Sequence, residues 1–317
     1  MKNVENKSHI EGLLYQHSLE LKESGPNSKN PGTQFISGTI EVATDDALTN
    51  IVPVHFTYVT AVTSTGKVNR SFNTLINIIE GAIPNVMANG KDNAATIRID
   101  SAIGLNEFYS DRNGKEELVS VKRNEGGFIH VGGALDPDET KRNTFSCDMV
   151  ITNCSREEAD PERNLPEKAI ISGVIFDFRG GILPVSFSAV DPAAMAYFEG
   201  LGASSKEPVF TKIWGNQISE TIVKTYVTES AFGADSIRQV PSTRKDYVIT
   251  GAAKEVYVWD DAETLTAQEL MQKMTERETY LATIKQRQDE YNASKKAPAA
   301  AASAPANAIG AIGNFNF

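Results

Sequence analysis

The chain has 317 residues, 40% of them hydrophobic and 23% charged, with a formal net charge of -10 and a pI near 5.1. This composition excludes the disordered, collagenous and disulfide-scaffold classes and leaves room for two ordinary domains. No stretch reaches the ~18 apolar residues of a membrane span, and the opening MKNVENKSHIEG carries no targeting pattern, so a soluble cytoplasmic protein without membrane contact is expected. An acidic balance weighs against nucleic acid unless cations gather in one groove.

Residues 1–33 are polar and end in SGPNSKNPG, a cluster that continues neither helix nor strand. Ile10, Leu13, Leu14, His17 and Leu21 recur at helical spacing, which predicts a short amphipathic helix in a loosely docked N-terminal arm. From Gln34 the pattern turns to β. FISGTIEVA, VPVHFTYVTAV and VNRSFNTLINII read as three strands, the last two a hairpin turning at Ser64 to Gly66. ATIRIDSAIGLNEFYS and KEELVSVKR form a second hairpin across Asn113-Gly114. The charged, proline-bearing stretch from Ala134 to Asn143 reads as a linker.

Beyond the linker, TFSCDMVITN, KAIISGVIFDF, ILPVSFSAV, DPAAMAYFEGL, PVFTKIWGNQ and SETIVKTYVTES give strand, strand, strand, helix, strand, strand. That is the order of an oligonucleotide-binding barrel. CSREEADPERNLPE is an exposed excursion, and Asp191-Pro192 caps the helix that holds Met195, Tyr197 and Phe198. TESAFGADSIRQVPSTRKD reads as a loop and DYVITGAAKEVYVWD as one or two further strands. Thr266 and Glu269 form a capping box opening a helix to about Ser294. Its Leu270, Met274, Arg277, Leu281, Ile284, Gln288 and Tyr291 make one stripe, to be buried on the protein's own body or in a homo-oligomer. The end, KKAPAAAASAPANAIGAIGNFNF, is a flexible tail that finishes on Phe315 and Phe317, which could be offered to a partner's pocket.

The expected fold class is therefore mainly β: two tandem OB-fold-like barrels, a C-terminal α-helix and a disordered C-terminal tail. The first barrel domain spans 34–140, the second 141–260, the amphipathic helix 261–296 and the tail 297–317.

Phosphate loops, dinucleotide fingerprints and nucleophile elbows are absent from the sequence. Cys147 and Cys154 suit neither a zinc site nor a redox pair, and His9, His17, His55 and His130 are scattered. No catalytic group, metal or cofactor is expected. Binding a single strand takes aromatic faces for the bases and cations for the phosphates. Period two puts Phe210, Lys212 and Trp214 on one side of their strand, and Lys224 and Tyr226 on one side of the next. Phe178 and Arg179 lie at a hairpin tip, beside Phe176. The first block offers Phe56, Tyr58, Lys67, Arg70, Phe72 and Arg98, and Lys122-Arg123 and Lys141-Arg142 mark the joint. The aromatics have a second reading, facing the interior while the lysines reach outward from the edge.

On GVIFDFRGGILPVSF, DPAAMAYFEGL and FTKIWG, the second block resembles the oligonucleotide-binding fold of single-stranded DNA-binding proteins. The whole chain resembles the larger versions carried by bacteriophages of Gram-positive hosts. The resemblance implies a protein of the host cytoplasm that coats single-stranded DNA during replication and recombination and recruits partner enzymes through its tail. The tail lacks the acidic tip of the bacterial members. A virion or assembly-scaffold protein remains the alternative from another class, and a carbohydrate-binding barrel using Trp214 and Tyr226 comes last.

Overall fold

The computed structural model describes residues 4–26, 28–63, 65–112, 115–160, 165–228, 230–260 and 265–296. In chain order these residues form β1 (Asn6–His17), β2 (Glu20–Glu23), β3 (Gln34–Ala43), β4 (Ile51–Thr60), α1 (Arg70–Ile79), α2 (Val86–Asn89), β5 (Thr96–Arg112) and β6 (Lys115–Val131). Then come β7 (Asn143–Glu157), β8 (Lys168–Phe176), β9 (Ile182–Ala189), α3 (Pro192–Gly200), β10 (Val209–Thr228), β11 (Ser236–Ala252) and α4 (Ala267–Lys296). The chain is mainly β, and its strands join into one large sheet.

The pairings fall into two circuits. β1 pairs with β3, β3 with β4, β4 with β6 in parallel, β6 with β5, and β5 with β1. The second circuit repeats that order: β7 with β8, β8 with β9, β9 with β11 in parallel, β11 with β10, and β10 with β7. Each parallel seam is short, Val54 and His55 against Asn124 and Glu125 in the first circuit and Val248 against Ser188 in the second. In each, an α-helix (α1 or α3) follows the third strand. The circuits join through their first strands, Asn6 to Ile10 of β1 running antiparallel to Cys147 to Asn143 of β7.

Two main clusters of buried side chains form the core, one on each circuit, with Ile103 of β5 joining the second. Ile10, Leu14, Ile36, Ile40, Val54 and Ile99 fill the first, with Leu75 and Ile78 of α1 packed among them. Phe145, Met149, Ile171, Phe187 and Ile249 fill the second, with Met195 and Phe198 of α3. The helix starts follow from side-chain capping. The Asn69 side chain accepts from the Ser71 N–H at 3.2 Å, and Asp191 accepts from Ala193 and Ala194 at 2.9 and 3.1 Å. At α4 the expected capping box is present: Thr266 N–H donates to the Glu269 carboxylate and Glu269 N–H to the Thr266 hydroxyl.

A buried polar network fixes the joint. The Asn124 amide of β6 donates to Gln217 Oε1 of β10 at 2.6 Å, Ser8 of β1 donates to Asn124 Oδ1 at 2.7 Å, and Gln217 Nε2 closes the ring onto Ser8. Asn143 and Asn50 both donate to the Gln217 carbonyl, at 2.7 and 3.2 Å. Gln217 belongs to the second circuit, yet its partners lie largely in the first. Buried amides without such partners would each cost about 1–3 kcal/mol.

Three segments differ from the sequence expectation. Residues 6–17 are strand and not helix: Ser8, Ile10, Gly12 and Leu14 alternate inward, and β1 pairs with three strands and is no loose arm. VNRSFNTLINII is the helix α1, because Phe72, Leu75, Ile76 and Ile79 form one apolar face below a capping asparagine. SIRQVPSTRKD is the first part of β11, paired along its length with β10. α4 docks on the body. Arg277, Leu281, Ile284 and Gln288 of the expected stripe are half-buried, but Met274 is exposed and Lys273 takes its place. Asn113-Gly114, the tail with Phe315 and Phe317, and the Tyr291 side chain lie outside the described residues.

Candidate nucleic-acid interface

On β3 and β4 the core takes Ile36, Ile40, Val52, Val54 and Phe56, which leaves Phe35, Thr39, His55 and Thr57 on the outer face. The register slips between Ile36 and Gly38, so that Thr57 and Tyr58 bulge opposite Ser37. The bulge sets the Tyr58 ring 4.5 Å from Phe35, with 49% of the tyrosine exposed. Its hydroxyl lies 3.2 Å from that of Ser24, which orients the ring edge.

Tyr58 opens onto a cleft of about 900 Å³, shared with Thr60 to Thr63, with Asn69 at the start of α1 and with Arg179 of the β8–β9 turn. Arg179 therefore reaches from the second circuit to the aromatic face of the first. Asp177 builds that turn, its Oδ1 accepting from the N–H groups of Arg179 and Gly181, both at 2.7 Å. Phe178 at the tip is 88% exposed, and the Arg179 guanidinium sits 4.9 Å from its ring centre. On its other side the turn lines a second cleft, of about 480 Å³, against Lys273, Arg277 and Tyr280 of α4. No ion pair occupies Arg179 among the described residues.

The structure thus brings together Tyr58, Phe178 and Arg179 from the residues singled out in the sequence. Lys67 and Arg70 are exposed at the edge of the same region, Arg70 following Asn69 directly. Phe72 is half-buried against the first core as part of α1.

Other expected residues go elsewhere. Phe56 and Phe210 are corrections: both are buried, and neither can offer a face to a base. Phe210 lies outside the second core but is covered, because Tyr257 and Trp259 fold back onto it at ring distances of 4.7 and 5.9 Å, along with Phe176. Lys212, on the same face, is held by Glu5 at 3.1 Å and is not free for a phosphate. Burial opposes ionisation of Glu5, but hydrogen bonds from Ser146, Lys212 and Lys7 outweigh it and hold the carboxyl down at about 2. Trp214 is 41% exposed and lies flat over Gly251, outside both clefts. Tyr226 is exposed on the β10–β11 hairpin opposite Arg238. The Lys224 side chain lies outside the described residues. Arg98 faces a separate cleft with Glu11 and His130, 3.9 Å from Asp100. Arg142 is buried, bound to Asp46 at 2.7 Å and to the Asp136 carbonyl, and so belongs to the framework.

Comparison with known proteins places the whole assembly in one family. A model of the YorF family matches residues 5–287. The chain belongs to the YorF family. The YorF match runs from the start of β1 into α4 and includes both circuits. Among solved structures, a deletion mutant of the single-stranded DNA binding protein from Thermus aquaticus is similar with a TM-score of 0.42 and 9% identity, covering 82% of this chain and 98% of that one. No curated protein matches.

Two features of this YorF chain escaped the sequence reading. Phe35 pairs with Thr60, and Tyr58 comes to its face only through the bulge, which the sequence does not announce. Lys245 sat in an apparent loop, whereas it lies on β11 facing the first circuit. The signal that could have found it is the pairing of two long, polar strands, which alternation does not reveal.

Proposed function

We propose that the protein is a non-catalytic single-stranded DNA-binding protein in which each five-strand circuit is an OB-type barrel. The observation that carries the reading is the Tyr58 ring, packed against Phe35 on the outer face of β3 and β4 and sharing one cleft with Arg179. These are the second and third strands of their circuit, the face with which such barrels hold oligonucleotides. Stacked bases on Tyr58 and Phe178, with phosphates met by Arg179, Arg70 and Lys67, give the sequence-tolerant chemistry that coating requires. The order of pairings, repeated with a helix after the third strand, supports the tandem barrels. β1 then belongs with the first barrel, whose remainder is 34–140, and 141–260 forms the second.

The setting we propose is phage DNA replication and recombination in a host cytoplasm, with Phe315 and Phe317 as the contact for partner enzymes. Trp214 and Tyr226 extend the binding surface along β10.

The test is fluorescence anisotropy of a labelled ~30-nucleotide oligo-dT at two salt concentrations, competed with duplex. Saturable, salt-sensitive binding that duplex does not displace is expected; no binding at low salt refutes the reading. A second reading, a virion or assembly protein, is favoured by the exposed apolar residues Val227, Phe232 and Ile237 of the hairpin and Met271 and Tyr280 of α4. It requires a stable large oligomer by light scattering and no affinity for the oligonucleotide.

A further inference from the structure

Between the two circuits lies another cleft, of about 170 Å³, separate from the aromatic one. His55 of β4, Lys122 and Arg123 of β6 and Lys245 of β11 line it, with the amides of Asn106 and Gln217. Among the described residues no carboxylate lines it. Four basic side chains from three strands and both circuits therefore converge without an anion in their midst.

Their present partners differ. The Lys122 ammonium donates to the Ser186 carbonyl and rests 4.4 and 4.2 Å from the ring centres of Phe187 and Tyr247, so it serves as a fixed wall. Arg123 shares its guanidinium with Glu125 at 2.7 and 2.8 Å, outside the cleft lining. Lys245 is exposed and has no ion pair among the described residues. The Nδ1 of His55 is 2.9 Å from the Thr39 hydroxyl, an arrangement that fixes the ring and leaves Nε2 for a ligand. The walls are rigid, because Gln217 and Asn124 belong to the buried network at the joint.

We infer that this cleft is a subsite for a phosphate group, held by Lys245 and His55, with the Glu125-bound Arg123 beside them. The backbone of a single strand supplies that phosphate where it passes from the Phe35–Tyr58 face toward β11. The source of the phosphate rests on the single-strand reading; the chemistry of the subsite does not. Burial, with Arg123 and Lys245 nearby, lowers the pKa of His55, while Glu125 and Glu41 oppose them. A phosphate in the cleft reverses the sign of the nearest charge. His55 then takes up a proton on binding, and affinity rises as pH falls through the histidine range.

The experiment follows the His55 Cε1 proton by NMR in the full chain, assigned with His55→Gln, through pH titrations alone, with inorganic phosphate and with a short oligo-dT. The pKa of His55 is expected to rise by about one pH unit with either ligand. Lys245→Gln should lower the salt slope of oligonucleotide binding by about 0.7. An unmoved His55 with both ligands, together with an unchanged slope, overturns the subsite even if oligonucleotides bind elsewhere. Movement with phosphate while no oligonucleotide binds supports the subsite and sinks the single-strand reading. Movement with phosphate but not with a bound oligonucleotide overturns the strand as its source, in favour of a free phosphorylated compound.

Discussion

Arg277 of α4 donates to the Glu107 carboxylate on β5, and through its other nitrogen to the Ile182 carbonyl on β9 at 3.0 Å. One guanidinium therefore ties the helix to both circuits. The Glu107 side chain is only 3% exposed and accepts a further hydrogen bond from Ser120 at 3.1 Å.

Breaking that pair on one side leaves a buried charge. Arg277→Ala should destabilise the protein by about 3–5 kcal/mol. Arg277→Met combined with Glu107→Leu should recover most of the loss, since no charge then remains without a partner. Urea denaturation of the three variants decides it. Equal losses in the single and double variants would mean that the pair is not what docks α4.

Tyr58→Ala should weaken single-strand binding by about 1–3 kcal/mol, alike for all sequences, because a ring stacks on any base. It should leave the salt slope untouched. Arg179→Ala should instead lower the slope by about 0.7, the contribution of one neutralised phosphate. Anisotropy titrations over a range of salt separate the two effects, and an unaltered affinity in Tyr58→Ala would count against the aromatic cleft.

Acid should loosen the anchoring of β1. Glu5 has a folded-state pKa of about 2 against an ordinary 4.5, so between these values the unfolded chain binds more protons. The stabilisation is complete above about pH 4.5 and is lost as pH falls toward 2. Glu5→Gln should therefore lower stability at neutral pH and flatten its decline below pH 4.5. Denaturant midpoints at pH 7 and pH 3 that shift in parallel for both proteins would refute this.

Gly251 keeps the indole of Trp214 in place by having no side chain. A Cβ there would lie 2.3 Å from Trp214 Nε1, so Gly251→Ala must swing the ring toward solvent. With Trp259 replaced by Phe, Trp214 is the remaining tryptophan, and its emission, excited beyond the tyrosine band, should move to longer wavelength. An unmoved spectrum would show that the ring is not seated on the glycine.

Most of the second circuit was legible, because β7, β8, β9 and the near half of β10 read as strands and its helix announces itself by Asp191-Pro192. The first was harder. Ile10, Leu13 and Leu14 suggest a helix only because two of the inward positions of β1 are Ser8, which serves the joint, and Gly12, where Ala43 O would stand 1.9 Å from a Cβ. α1 is rich in isoleucine, which favours strands, and its capping asparagine follows an exposed valine. The far half of the β10–β11 hairpin projects beyond the core, so Arg238 and Gln239 obey no alternation. The aromatic cleft was half visible: Tyr58 and Arg179 stood out as residues, but their meeting depends on how the circuits join.

That junction bears on how the protein is made. Ile10 pairs with Ile99 and with Asn143, so β1 must wait until the chain has been synthesised past β7 before both its edges are covered. Until β7 arrives, the nascent first half exposes a bare strand edge, a template for unwanted aggregation. A fragment ending before Asn143 would keep that liability permanently, and the two halves are better understood as one cooperative folding unit than as beads that could be separated and exchanged.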